Sequence, residues 1–176
     1  MENALENEGV KDGSVIEIRK AGIVPHCDGI ILPGGESTTI SRHLKRTGVE
    51  EEIKEISLSG VPIMATCAGL IVISKNVNGE KRFEPLELLD VEIERNAFGT
   101  QRESFESDLV VKGFDQPYHA VFIRAPAITG WSKKVNVLAQ IDELAVAVIQ
   151  DNLIGLAFHP ELTSDLRFQK IFLSKT

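Results

Sequence analysis

Two short stretches of this 176-residue chain carry side chains that could act together as a nucleophile and its base. Cys67 stands in the run Ile63, Met64, Ala65, Thr66, Cys67, Ala68, Gly69, where an apolar strand-like segment passes through a small-residue turn into an apolar helical segment. A sharp strand-to-helix turn exposes a nucleophile at the end of a strand, and small neighbours leave it room. The positive end of the following helix favours the thiolate, the form of cysteine that attacks a carbonyl carbon. The segment alone reads equally well as a buried, inert cysteine. His159 directly follows the strand-like residues 153–158 and precedes Pro160 and Glu161. It too should sit at a strand's C-terminal edge, where open α/β sheets bind ligands. Glu161, across a proline that fixes the local backbone, could accept the second imidazole N–H and stabilise the imidazolium. Taken alone, the same three residues also make an ordinary surface turn.

A third segment runs Leu32, Pro33, Gly34, Gly35, Glu36, Ser37, Thr38, Thr39. Its glycines let backbone approach a ligand closely and aim amides at a developing oxyanion. A phosphate cradle is the rival reading, but the lysine of a P-loop is absent. Glu36 could bind a substrate ammonium and Ser37 or Thr38 could cap a helix, or all three could only cap it. Arg95 and Arg124 each follow a strand-like run and could fork onto a carboxylate, or simply be solvated. His26, His43, His119 and Cys27 lack the second ligand pair of a zinc site, so no metal and no cofactor is expected.

These groups need a frame to bring them together. Short apolar runs at 15–18, 29–32, 62–65 and 153–158 read as strands covered on both faces, with helical segments at 38–47, 50–58 and 68–74 between or after them. Strand and helix alternate through the first half, which implies a parallel sheet with covering helices. The later runs 91–94, 108–111, 121–124, 135–141 and 144–149 have little helix between them. Asp151 and Asn152 read as a hairpin turn onto 153–158, so an antiparallel extension is expected. The length suits one domain over residues 1–176, with no repeat or linker to divide it. A formal net charge of −7 without a basic run argues against nucleic acid, and no stretch is apolar for long enough to cross a bilayer. Two distant cysteines and a start without a basic, apolar leader fit a reducing cytoplasm.

Read together and in this order, PGGESTT, TCAGL, ERNAFG followed by TQ and SFE, FIRAP, and FHPELT resemble the glutaminase subunits of pyridoxal 5′-phosphate synthase. The likeness runs from about Val15 to the C-terminus. TCAG and HPE are shared with class I glutamine amidotransferases at large, whereas PGGEST with RNAFG and FIRAP is much more specific to this one family. The resemblance implies a three-layer flavodoxin-like α/β fold, a mixed sheet with helices on both faces. It implies hydrolysis of L-glutamine through a cysteine thioester, with ammonia passed to a (β/α)-barrel synthase subunit in a hetero-oligomer. Carried over residue by residue, Cys67, His159 and Glu161 are the triad. Gly35, Glu36, Ser37, Arg95, Ile123 and Arg124 bind glutamine, and the Gly35 and Ala68 amides form the oxyanion site. Two departures stand out. Ala65 replaces the glycine of the family's Gly-Thr-Cys-Ala-Gly, a change tolerable if its φ stays negative. The family's opening strand, with its Leu-Gln-Gly-Asp motif, is expected to be missing ahead of Met1. A different cysteine hydrolase on the same fold and a catalytically silent docking protein are the competing expectations.

Overall fold

The computed structural model describes residues 1–95, 97–98 and 104–176. Helix α1 (Glu2–Asn7) is followed by β1 (Ile30–Leu32), α2 (Ser37–Thr47), α3 (Val49–Leu58), β2 (Ile63–Thr66), α4 (Ala68–Ile73), β3 (Ser74–Val77) and β4 (Leu89–Glu94). Then come β5 (Ser104–Leu109), β6 (Tyr118–Ile123), β7 (Ala127–Trp131), β8 (Asn136–Ile141), β9 (Leu144–Gln150), β10 (Leu153–Leu156) and α5 (Arg167–Leu173). The main sheet has the order β1-β2-β10-β9-β7-β4-β3, with β8 also pairing with β9. β5 and β6 form a separate antiparallel pair.

The three strands at one side of the main sheet, β1, β2 and β10, are parallel, with Leu32 opposite Ala65 and Ala65 opposite Gly155. Every residue of β2 and of β10 is buried. Strands with no solvent face read as continuous apolar runs, so the sheet here is covered on both sides. Helix α3 buries Val49, Ile53 and Ile56, spaced for one helical face. Gly48 separates α2 from α3 in a left-handed conformation, φ 76°, after Lys45 and Arg46 have placed positive charge in the last turn of α2. Asp151, with φ 51°, turns β9 back onto β10, and Gln150 pairs with Leu153, as the hairpin expectation required.

The α/β architecture and its mixed sheet match the expectation, with corrections to individual elements. Residues 15–18 form no strand; Val15 and Ile16 are 46% and 56% exposed. An apolar run becomes a strand only when a neighbour completes its ladder, and β1 at the sheet's edge is hydrogen-bonded to β2 alone. β3 and β7 are strands that the hydrophobic pattern does not announce. β3 reads Ser-Lys-Asn-Val straight after a helix, and β7 carries Gly130 between Pro126 and Trp131. Ala65 does not take positive φ and lies in β2, so its methyl is accommodated by ordinary strand geometry.

Candidate active site

The parallel strands β1, β2 and β10 end at one edge of the sheet, and each delivers a segment to the same place. Past β2, Cys67 adopts φ 47° and ψ −104°, outside the regions that a side chain with Cβ normally occupies. Its amide donates to Leu156 O at 2.8 Å, which ties the turn to β10. Its thiol is 7% exposed and donates to Ile123 O at 3.8 Å. Two residues on, Gly69 lies so close to β1 that a Cβ there would come within 2.1 Å of Leu32 O. The strained elbow, its tether to β10 and this close approach together hold the sulfur at the sheet edge.

Past β10, Phe158 packs edge-on against Phe122 and Phe168 with ring centroids at 5.5 and 5.4 Å, and all three side chains are fully buried. This aromatic anchor fixes the backbone from which His159 projects. The His159 amide donates to Val121 O at 2.9 Å, and its ring lies against Gly34, where a Cβ would meet the ring's Cε1 at 2.5 Å. Nδ1 is 2.7 Å from Glu161 Oε1. Residues Pro160–Leu162 form one turn of 3-10 helix, steadied by buried Gln169, whose amide donates to Pro160 O at 3.3 Å.

The glycine-loop segment borders the same edge. Gly35 has φ 141°, a conformation that favours glycine, and Glu36 accepts a 2.8 Å hydrogen bond from Thr38 Oγ1. Neither Ser37 nor Thr38 caps α2; the N-cap position belongs to Glu36, without a side-chain cap bond. Ser37 is buried, and its hydroxyl has no hydrogen-bond partner among the described residues. Arg95 reaches Glu36 at 3.4 Å through Nη2 and Glu80 at 2.5 Å through Nη1. Ile123 and Arg124 end the β6 segment; Arg124 has φ 42° and is exposed. Asn96 and residues 99–103 of the ERNAFG and TQ segment lie outside the described residues. Sequence reasoning missed Glu80 and Gln169, which carry no motif, and the steric need for Gly34 against His159. His119, by contrast, sits between Asp108 and Glu106 on the exposed face of the β5–β6 pair, and no group of metal-ligating side chains occurs among the described residues.

Residues 2–176 match the SNO glutamine amidotransferase family. The chain belongs to that family. It is 53% identical over 171 residues to pyridoxal 5′-phosphate synthase subunit PdxT of Methanothrix thermoacetophila, covering 97% of this chain and 90% of the relative. It is 47% identical to the PdxT subunit of Methanosarcina barkeri, covering 99% of this chain and 88% of that one. A crystal structure of a glutamine amidotransferase superposes with a TM-score of 0.90 at 39% identity, covering 99% of this chain and 90% of the other. A glutamine amidotransferase from Thermotoga maritima, 13% identical with a TM-score of 0.59 over 99% of this chain and 83% of that one, shares the fold.

Electrostatics set the proton on His159. Hydrogen bonds to Cys67 first and Glu161 second raise the pKa of His159 from its ordinary 6.5 to about 10, against burial, which pulls it down. For Glu161, burial pushes the carboxyl up, but the hydrogen bond and charge of His159 outweigh it and the net shift is downward. Because the folded-state value for His159 lies above the unfolded one, its contacts stabilise the fold fully below pH 6.5, and that contribution fades as pH rises through about 10. Wild type should therefore exceed His159→Gln in melting temperature by a margin that is widest near pH 6 and closes towards about pH 10. Paired melts across that range check it; a margin that grows with pH contradicts the assignment.

Proposed function

We propose that Cys67, His159 and Glu161 hydrolyse the side-chain amide of L-glutamine, and that the ammonia passes to a (β/α)-barrel synthase subunit that makes pyridoxal 5′-phosphate. The observation that carries this reading is the strained cysteine beside a His–Glu pair at one sheet edge, in a chain about half identical to PdxT subunits over nearly its whole length. The chain is a glutaminase subunit, and it works with a synthase partner. Two unpaired cysteines suit a cytoplasmic setting, and among the described residues no helix is long and apolar enough to cross a membrane.

The Cys67 thiolate attacks the amide carbon, and the C=O electron pair moves to oxygen, where the amides of Gly35 and Ala68 are the assigned donors. As the tetrahedral intermediate collapses, the C–N bond breaks and the His159 imidazolium gives its proton to the departing nitrogen, releasing ammonia and leaving a thioester. Neutral His159 then takes a proton from water, whose oxygen attacks the thioester carbonyl and expels the thiolate with glutamate as product. Glu36 pairs with the substrate ammonium and Arg95 with its carboxylate. Ser37, Ile123 and Arg124 complete the pocket. A zwitterionic amino acid needs both charges met, which separates this reading from a hydrolase acting on peptides.

Glu161 orients His159 without touching substrate, and its side chain is 52% exposed, so water substitutes for part of its role. Glu161→Gln should lower kcat by on the order of 100-fold with KM little changed, measured as glutamate formation. The function itself is tested by supplying glutamine labelled at the amide nitrogen to the chain and its synthase partner. Label in pyridoxal 5′-phosphate supports the reading. Glutamine hydrolysis without labelled product denies the transfer, and no hydrolysis at all favours a silent docking protein.

A further inference from the structure

Glu80 lies outside every motif, yet it gathers five hydrogen bonds from Lys81, Arg82 and Arg95. Its position follows from strand pairing. β3 runs parallel to β4, with Val77 opposite Ile93, and the Asn78 amide donates to Ile93 O at 2.9 Å. The turn after β3, through Gly79 with φ 70°, therefore sets Glu80 beside Arg95 at the end of β4. The Glu80 carboxylate accepts from the amides of Lys81 and Arg82 at 2.9 and 2.8 Å, from Arg82 Nε and Nη2 at 2.8 and 2.5 Å, and from Arg95 Nη1 at 2.5 Å. Its side chain is only 3% exposed. Arg82 foremost, then the other donors, hold its carboxyl at about 2 against the effect of burial, so it is charged throughout the neutral range.

We propose that Glu80 is the residue that positions Arg95 for glutamine, holding the guanidinium ready for the substrate carboxylate and keeping it from closing more tightly onto the Glu36 carboxylate. This rests on the reading of Arg95 and Glu36 as the partners of the substrate's two charges. The two contacts of Arg95 are unequal. The one to Glu80 is close and shielded, whereas the one to Glu36 spans 3.4 Å and reaches a carboxylate that is half exposed. An incoming zwitterion can open the second contact while the first stays closed, so the pocket reorganises little. Without the charge on Glu80, Arg82 and Arg95 face each other uncompensated. The remaining carboxylate partner of Arg95 among the described residues is Glu36, and closing onto it would occupy the group that must receive the ammonium. Glu80 touches neither the substrate nor the reacting atoms, so its loss should weaken binding and spare chemistry.

Steady-state glutamine kinetics on the complex with the synthase partner test this. Glu80→Gln, which keeps the size and removes the charge, should raise KM by on the order of tenfold and leave kcat within about twofold. Glu80→Asp, with the charge restored on a shorter stem, should recover part of the loss. In an Arg95→Lys background, Glu80→Gln should add less than about twofold, because both changes act through one guanidinium. An unchanged or lowered KM in Glu80→Gln overturns the proposal, as does an equal, independent effect in the Arg95→Lys background. If Arg95→Lys itself leaves KM at the wild-type value, the glutamine-pocket assignment of Arg95 fails first and this proposal falls with it, a pattern distinct from failure of Glu80→Gln alone.

Discussion

Cys67→Ala should cut glutamine hydrolysis by on the order of 10⁴-fold or more while leaving the fold in place. The size of the loss follows from the order of events. Both later steps, ammonia release and thioester hydrolysis, depend on a covalent bond that alanine cannot form, so His159 and the oxyanion donors have no intermediate to act on. Stability should change little by comparison. Alanine keeps the Cβ and inherits the same backbone at φ 47°, and the tether from the residue 67 amide to Leu156 O is a main-chain bond that survives the change. Ammonia release and thermal melting on the same preparation separate the two effects. Hydrolysis persisting near the wild-type rate in a folded Cys67→Ala protein would remove the thioester from the account.

Gly69→Ala should produce the opposite pattern, in which the fold itself is weakened. Helix propensity predicts a gain, since alanine is favoured over glycine inside a helix by about 1 kcal/mol. Sterics decide against it. The new Cβ would stand 2.1 Å from Leu32 O and 2.8 Å from Leu32 C, and both are backbone atoms of a strand already in register with β2. No side chain can rotate away, so either α4 or the end of β1 must move, and both carry pieces of the site. A cost of roughly 3 kcal/mol or more is expected, large against the ~5 to 15 kcal/mol that holds a typical domain together. Denaturant unfolding measures it, and a loss below about 1 kcal/mol would show that the elbow has slack.

The parts of this site that were legible in sequence are those whose chemistry is local. An apolar strand, a small-residue turn and a helix around Cys67 make an elbow because of their own side chains, and Pro160 sets Glu161 near His159 within three residues of chain. The hairpin through Asp151 was legible for the same reason. What could not be read depends on partners distant in the chain. Gly34 must be glycine because the His159 ring lies against it, and Glu80 meets Arg95 because β3 and β4 pair in parallel. Residues 15–18 mark the limit from the other side, since their apolar, β-branched composition suits a strand but a ladder needs a neighbour that composition cannot supply. Elbow and family motifs together sufficed for the activity, while the steric and charge contacts that hold the site needed three dimensions.

The central claim is that Cys67 becomes covalently bonded to the substrate. Acid quenching of the complex during turnover with glutamine, followed by intact-protein and peptide mass spectrometry, tests it most directly. The account predicts a mass increase of one γ-glutamyl group, located on the peptide containing Cys67 and absent from Cys67→Ala. A turning-over enzyme that shows no adduct under any quench time, or carries the adduct on another residue, would contradict it.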